Sequence, residues 1–462
     1  MKNNLHIKNF EELATNPLRE KALLIAEAGL NAIDIEKAVD SRIKIEGDIL
    51  EFHHPAYEKK GDYASWLWGM KINLKDFKRI FVVGIGKGSA LASIVLAQKL
   101  GDRLTQGIAI DVKEPNFQTL KLSNFKTFVG THPLPSKQNI KATKEIIKLV
   151  EDLNEDDLLI NFICGGGSAL ACASEKELEE AAVIFKELTA NGADIKEMNI
   201  VRKHISEFKG GGFAKIAYPA KVISLIVSDV IGNDMSTVAS GPTVFDMTTK
   251  EEAENVLKKY LRESASRSAL IRGLVETPKD PRYFKKIKNI LFVCNNDAIL
   301  AMEEKAKEME LSSRIFSLSY EGEAKEALVK LVDEIWPGGV LLVAGETTVK
   351  LVNLKSGKKI GKGSRNQEAA LGLVCALHAS RSTFQDDMVA LALASDGHDN
   401  NEAAGAIVDF ETVEKAKKLN LEPEKFLENH DSFHFFEKTK DLVFAEQKSF
   451  NVADLMVIIK EK

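Results

Sequence analysis

The chain has 462 residues, 44% of them hydrophobic and 28% charged, with 63 basic against 68 acidic side chains and a formal net charge of −5. That length exceeds one ordinary core and predicts two or three domains, and the composition excludes an intrinsically disordered chain. With no basic excess, nucleic acid and anionic membrane are not expected as partners.

Charges run through the first thirty residues, where a secretory signal needs an uninterrupted apolar core. The longest charge-free stretch, 158–174, contains three glycines and is too short to span a bilayer. Cys164, Cys172, Cys294 and Cys375 show no C-x-x-C spacing, so reduced thiols in a cytoplasmic protein are expected. Leu18, Ala22, Ala26 and Leu30 recur at helical spacing behind the start signal Asn16-Pro17. RIFVVGIGKGSALASIVLAQKL (79–100) reads as a buried strand, a glycine turn and a helix. Further strands are expected at GIAIDV, TFVGTHP, DLLINFIC and AKVISLIV, separated by helices over 141–153, 177–189 and 201–217. A charged stretch, 247–288, marks a candidate boundary. A second series begins at NILFVCNNDA and runs through RIFSLSY, GGVLLVAGETTV, VALALASDGHDN, DLVFAEQ and DLMVIIK. Strand alternating with helix predicts the α/β class. The reading is two Rossmann-like three-layer domains, 1–275 and 285–462, with mostly parallel sheets and an interdomain cleft.

In such sheets ligands bind beyond the carboxyl ends of strands, where backbone N–H groups collect. Four loops have that placement. Gly84-Ile-Gly-Lys-Gly-Ser89 fits neither the P-loop nor the dinucleotide spacing, because Phe81 and Ser89 stand where glycines are required. It leaves Gly86 and Lys87 at the mouth of a strand–turn–helix unit, where Lys87 is either a phosphate-neutralising cation or a solvated turn lysine. Gly165-Gly166-Gly167-Ser168 follows a buried strand and reads as a phosphate cradle, since a plain tight turn explains one glycine well and three poorly. Lys209-Gly-Gly-Gly212 is either a ligand loop or a helix cap. The fourth, Gly361 to Glu368, places Arg365 at the entrance to a helix, after a strand that ends in Gly345-Glu346.

Phosphoryl transfer also needs a divalent cation on oxygen ligands. Asp229, Asn233 and Asp234 stand at the end of VISLIV and suit magnesium, unless they form a plain Asp-rich turn. Asp396 and Asp399 repeat the theme in SDGHDN, where His398 is expected to make a local hydrogen bond.

Taken together, VVGIGKGSALAS, THPLPS, CGGGSAL, VRKHISEFKGGGFA, SDVIGNDMSTVASGPTV, GETTV, GKGSRNQEAAL and SDGHDNNEAAGA resemble glycerate 2-kinase of the type ending in a MOFRL domain. Each block alone is weak; eight in order, from about residue 15 to the C-terminus, are specific. The resemblance implies ATP with Mg²⁺ as cofactors, transfer to the 2-hydroxyl of D-glycerate, and catalytic cations at Lys87 and Arg365. It departs where the family pattern T-D-G-x-D-G-P-T-D-A-A-G-A reads Ser395 to Ala406 here, and where G-P-T-G-T-N-V-N-D-L reads Ala445 to Leu455. Cys164 and Ser364 also replace more usual small residues. These changes bear on the acceptor more than on the fold.

The expected function is therefore an ATP-dependent kinase of D-glycerate or a related sugar acid. Its partners are small molecules, with a homodimer left open. Gly86, Gly165, Gly166, Gly167, Ser168, Lys209, Gly345 and Glu346 are the expected nucleotide-side residues. Asp229, Asn233, Asp234 and Asp396 are the expected metal ligands. Two rivals stand beside it. One is a sugar-phosphate-binding sensor without chemistry; the other is an NAD(P)-dependent hydroxypyruvate reductase, in which Asp111 would bind a ribose.

Overall fold

The computed structural model describes residues 5–53, 69–113, 122–351, 360–379 and 387–462. The chain forms two units, Ile35–Val293 and a second made of Met1–Asp34 with Cys294–Lys462. In the first, β1 (Ile43–Glu46), β2 (Ile49–Phe52) and β3 (Met70–Asn73) make a small antiparallel sheet. Its four-residue strands are too short for their alternation to stand out in the sequence.

The main sheet of that unit contains β4 (Arg79–Ile85), β5 (Gln106–Asp111), β6 (Phe125–Val129), β7 (Asp157–Cys164), β8 (Lys221–Val227) and β9 (Ile287–Val293). All neighbours are parallel, in the order β6-β5-β4-β7-β8-β9. This is the doubly wound order whose ligand crevice lies between the first strand and the one that follows the reversal, here β4 and β7. Phe81, Val83 and Ile85 pack on Ile146, Phe208 and Phe213 on one face. Gly84 faces the other way, where an added Cβ would lie 2.8 Å from the Ser89 carbonyl oxygen, so its hydrogen lets the helix Ser89–Leu100 sit close to the strand.

Two boundaries differ from the sequence reading. NILFV, expected to open the second series, is part of β9 and closes the first sheet against β8. The helix Pro17–Ala32, capped by the Asn16 side chain accepting from the Arg19 N–H at 2.9 Å, belongs to the other unit. An apolar run or an amphipathic face shows that an element is buried, and says nothing of which sheet will cover it.

The second unit holds β10 (Ser312–Glu323), β11 (Gly339–Thr348), β12 (Met388–Ala394), β13 (Gly405–Asp409), β14 (Leu442–Val443) and β15 (Asp454–Lys460), in the order β10-β11-β15-β12-β13-β14. Only β10 and β11 are parallel, and every other pair is antiparallel. The expectation of a mostly parallel sheet therefore applies to the first unit and not to this one. The causes are β15, which enters between β11 and β12 against the direction of both, and β13, which turns back against β12 and β14. Strands buried on both faces read alike in sequence whatever their direction. Leu341, Val343, Ala390 and Met456 pack on Leu328 and Val374 on one face, and the helices Pro17–Ala32 and Asn295–Glu308 cover the other. Among the described residues no helix is long and apolar enough to cross a membrane.

Arg19 is fully buried in this unit. Its Nε lies 2.6 Å from Asp409, its Nη1 2.7 Å from Asp441, and its Nη2 donates to Thr412 at 2.8 Å. Lys415 reaches Asp441 but not Asp409. Replacing Arg19 by Met leaves buried carboxylate charge uncompensated and should cost about 3–5 kcal/mol in urea unfolding. A loss under about 1 kcal/mol, the value of a surface pair, would show that this cluster is not what holds the N-terminal helix.

Candidate functional site

The turns after β4 and β7 lie side by side at the switch point, and they differ in what their backbone does. In the first, Gly86 (φ 111°) and Gly88 (φ 78°) adopt conformations that favour glycine. Its N–H groups are spent internally: Gly86 donates to Ile110, Lys87 to Gly165 and Ser89 to Gly86. Asp111, fully buried at the end of β5, accepts from the N–H groups of Gly88 (3.1 Å) and Ala90 (3.0 Å). Its carboxylate fills the helix N-terminus where an external anion would otherwise sit.

The second turn is open. Among the described residues, the N–H groups of Gly166, Gly167 and Ser168 have no acceptor. Buried or half-buried N–H groups are rarely left so, and these three are available to an outside oxygen. The Lys87 side chain crosses over it: a Cβ on Gly166 (φ 76°) would lie 3.1 Å from Lys87 Cγ and 3.2 Å from His132 Cδ2. The Lys87 ammonium has no hydrogen-bond or ion-pair partner among the described residues. On the other side, the Asp229 carboxylate lies so close to Gly165 that a Cβ there would fall 1.9 Å from its Oδ2. Lys87, Gly165–Ser168 and Asp229 are thus brought together.

Behind the turn, Ser168 shares a hydrogen bond with Ser240 at 2.8 Å, and Ser240 donates to Asn199 at 3.1 Å. Ala239 (φ 51°) and Ser240 (φ 60°) are held in left-handed backbone, and Ala239 packs against Gly167. Strain of this kind persists only where the surroundings enforce it, commonly at functional sites. The enforcing partner is the third glycine loop. Gly210 and Gly211 donate to the carbonyls of Ser240 and Gly241, both at 2.9 Å. The loop does not cap the C-terminus of the helix Ile195–His204, which has already ended; Gly211 (φ 83°) stands instead at the N-cap of the next helix, Gly212–Ala217. Lys209 is buried, and its ammonium bonds Glu177 and the Ala171 carbonyl, which leaves it unavailable to a phosphate.

Two further residues border the turn and were not singled out by the sequence reading, although both lie in motif blocks noted there. His132 stands at the rim with one edge open to solvent. Crowding by protein, with the charges of Lys87 and Arg202, pushes its imidazole down to about 4, so it is neutral near pH 7. Arg202, in the last turn of Ile195–His204, lines a pocket of about 200 Å³ with His132, Gly166 and Ser168. No signal in the local sequence separates it from its charged neighbours Lys203 and His204.

Asp234 is occupied otherwise than as a ligand. Burial works against its ionisation, but bonds from the Ser236 N–H and hydroxyl and the Thr237 hydroxyl outweigh it and hold the carboxyl below its usual range. Asn233 (φ 56°) makes the turn just before it. Of that trio Asp229 alone stands at the glycine turn. Magnesium sites in kinases are completed by substrate phosphates, so one well-placed carboxylate fits such a group.

The second unit gathers its own set. Arg365 opens the helix Arg365–Ala379, with its Nε 2.6 Å from Asp454 and its Nη2 3.2 Å from Glu346, while Nη1 has no partner among the described residues. Glu346 thus orients a cation. Gly345 is required by packing, because a Cβ there would lie 2.1 Å from the Tyr320 carbonyl oxygen. Buried Asp399 accepts from the N–H groups of Asn366 (3.2 Å) and Gln367 (3.0 Å), capping that helix as Asp111 caps its counterpart. Asp396 accepts from the His398 N–H, and His398 Nδ1 makes the expected local bond, to the Asn401 carbonyl.

Residues 21–274 match a domain described as a domain of unknown function (DUF4147), and residues 339–454 match the MOFRL family. A D-glycerate 2-kinase of Thermotoga maritima is 32% identical over 402 residues, covering 84% of this chain and 91% of that protein. The chain belongs to the MOFRL-type glycerate 2-kinase family. The crystal structure of a Thermotoga maritima glycerate kinase superposes with a TM-score of 0.78 at 28% identity, covering 94% of this chain and 97% of that one. An Agrobacterium vitis relative, 34% identical over 397 residues and covering 82% of this chain and 87% of its own, carries a provisional name as a hydroxypyruvate reductase.

Against the family pattern, two altered residues of the second unit bond to each other and a third bonds a retained one. Asn400 donates to Ser364 at 3.0 Å, joining two departures, and Asn401 accepts from Gln367 at 3.0 Å. Ala453 replaces the family's asparagine at φ 106°, a conformation that asparagine tolerates better than alanine. It directly precedes Asp454, the partner of Arg365.

Burial pushes the Asp454 carboxyl up to about 7, against the pull of Arg365 and with the repulsion of Asp399. The unfolded group titrates near 3.8. Between those values the native state keeps a proton that the unfolded chain has released, so stability falls as pH rises through the window. Asp454→Asn should flatten this fall in urea unfolding between pH 4.5 and 7.5. An unchanged slope would place the proton elsewhere.

Proposed function

We propose that the chain transfers the γ-phosphate of ATP to the 2-hydroxyl of D-glycerate, forming 2-phosphoglycerate and ADP. Family membership makes it a phosphotransferase; the open turn carries the finer reading. Three unsatisfied N–H groups beside an unpaired lysine, at the switch point of a doubly wound sheet, suit phosphoryl oxygens. In the reaction the bond from the γ-phosphorus to the leaving ADP oxygen breaks, a bond to the acceptor oxygen forms, and the hydroxyl proton is released. Such chemistry is catalysed mostly by positioning and by neutralising charge.

Lys87 and Arg365 are the catalytic cations of this proposal. The N–H groups of Gly166, Gly167 and Ser168 hold phosphate oxygens. Asp229 would hold magnesium, which supplies charge neutralisation on the phosphates when bound. The reductase alternative needs an acid free to bind a ribose, and Asp111 is buried and committed to the helix N-terminus.

ADP release with magnesium-ATP across D-glycerate, L-glycerate and four- to six-carbon sugar acids tests the reading. D-glycerate should be the preferred acceptor; NAD(P)H-dependent turnover of hydroxypyruvate with no ADP release would overturn it. Lys87→Ala should lower kcat roughly 10²- to 10³-fold, the cost of removing one transition-state donor. Its melting temperature should not move, because the ammonium makes no bond among the described residues.

A further inference from the structure

The helix Ile195–His204 ends in three consecutive basic side chains, and the fold treats them differently. Lys203 is buried against Asp246 at 3.1 Å, and His204 lies 3.3 Å from Glu276 while bonding the Ile200 carbonyl at 2.8 Å. Arg202 has no hydrogen-bond or ion-pair partner among the described residues. It is nonetheless half-buried, and desolvation alone acts on its guanidinium, lowering its pKa. Taking a guanidinium out of water without a counter-charge is costly, and five donors then face no acceptor.

What it faces is the pocket beside the open turn. The other charged groups of that pocket are Glu177 and Lys209, which neutralise each other. With Lys87 also unpaired at Gly166, the pocket is left with a positive balance. Its about 200 Å³ lies below the roughly 300–1,000 Å³ of pockets that bury drug-sized ligands, so it is too small for a nucleotide and suits a three- or four-carbon acid. His132 and the Ser168 hydroxyl supply neutral polar contacts at the same wall. Asn199, one turn before Arg202 on the same helix face, is tied to Ser168 through Ser240, so the guanidinium and the turn are held in one register.

We infer that Arg202 is a specificity-determining residue that holds the carboxylate of the acceptor acid by its planar fork, seating the acid beside the Gly165–Ser168 turn. This rests on the kinase reading of that turn, and the experiment separates the two. Steady-state kinetics of wild type, Arg202→Met and Arg202→Lys would be measured with ATP and D-glycerate varied independently. D-glycerate without nucleotide would be titrated against the melting temperature of each protein.

Arg202→Met should raise the KM for D-glycerate by roughly 10- to 150-fold, the range for a lost hydrogen bond to a charged group. The KM for ATP should stay within about twofold, and the preference for D-glycerate over glycerol, which has no carboxylate, should fall by the same factor. Lysine keeps the charge without the fork and should give an intermediate KM. D-glycerate should raise the melting temperature of wild type and not of Arg202→Met. An unchanged KM for D-glycerate, or a rise confined to ATP, would overturn the assignment while leaving the kinase reading intact. If wild type released no ADP but D-glycerate still stabilised it and not Arg202→Met, the carboxylate site would stand and the kinase reading would fall.

Discussion

The carboxylate of Asp111 decides which strand-end turn of the first unit keeps its N–H groups free. A parallel sheet delivers several strand ends and helix N-termini to one edge, and each presents N–H groups that must find acceptors. Asp111 takes those of the turn after β4, and the loop around Gly210 is consumed by the carbonyls of Ser240 and Gly241. What remains is the turn after β7. Lys87 belongs to a closed turn but lays its side chain over the open one, so the cation and the cradle come from neighbouring strands. The second unit repeats the device: Asp399 closes the entrance of the Arg365 helix, and the guanidinium is aimed by acids instead of backbone.

Much of this was legible in the sequence where the signal is local. The helix Pro17–Ala32 announces itself through Asn16-Pro17, and strand–glycine–helix segments identified the turns and the residues on them. Which turn is open was not legible, because closing one depends on a partner 23 positions away, as Asp111 is from Gly88. Arg202 was hidden for the same reason. It differs from Lys203 and His204 only in that acids 43 and 72 positions away reach those two and not it. Lys209 misled in the opposite direction, since a lysine before three glycines looks like a phosphate ligand until Glu177 is found against it. Strand direction in the second sheet was illegible because apolar runs carry no direction.

Most of the departures from the family pattern lie in the second unit, and two of them, Ser364 and Asn400, are bonded to each other. Asn401 accepts from Gln367, which the family pattern keeps, and both contacts lie beside Asp399. The helix that carries Arg365 therefore keeps its cap.

The placement of β15 has a consequence for how the polypeptide is made. Residues 35–293 form a contiguous stretch whose sheet is complete once β9 has left the ribosome. The other unit is interrupted by that whole stretch, and its sheet is joined across the middle by residues 454–460. Arg19 waits for acids that follow it by 390 and 422 positions. The contiguous unit is thus free to mature during translation, while the other can complete its sheet only after residues 454–460 have been made, with a charged helix in waiting until then.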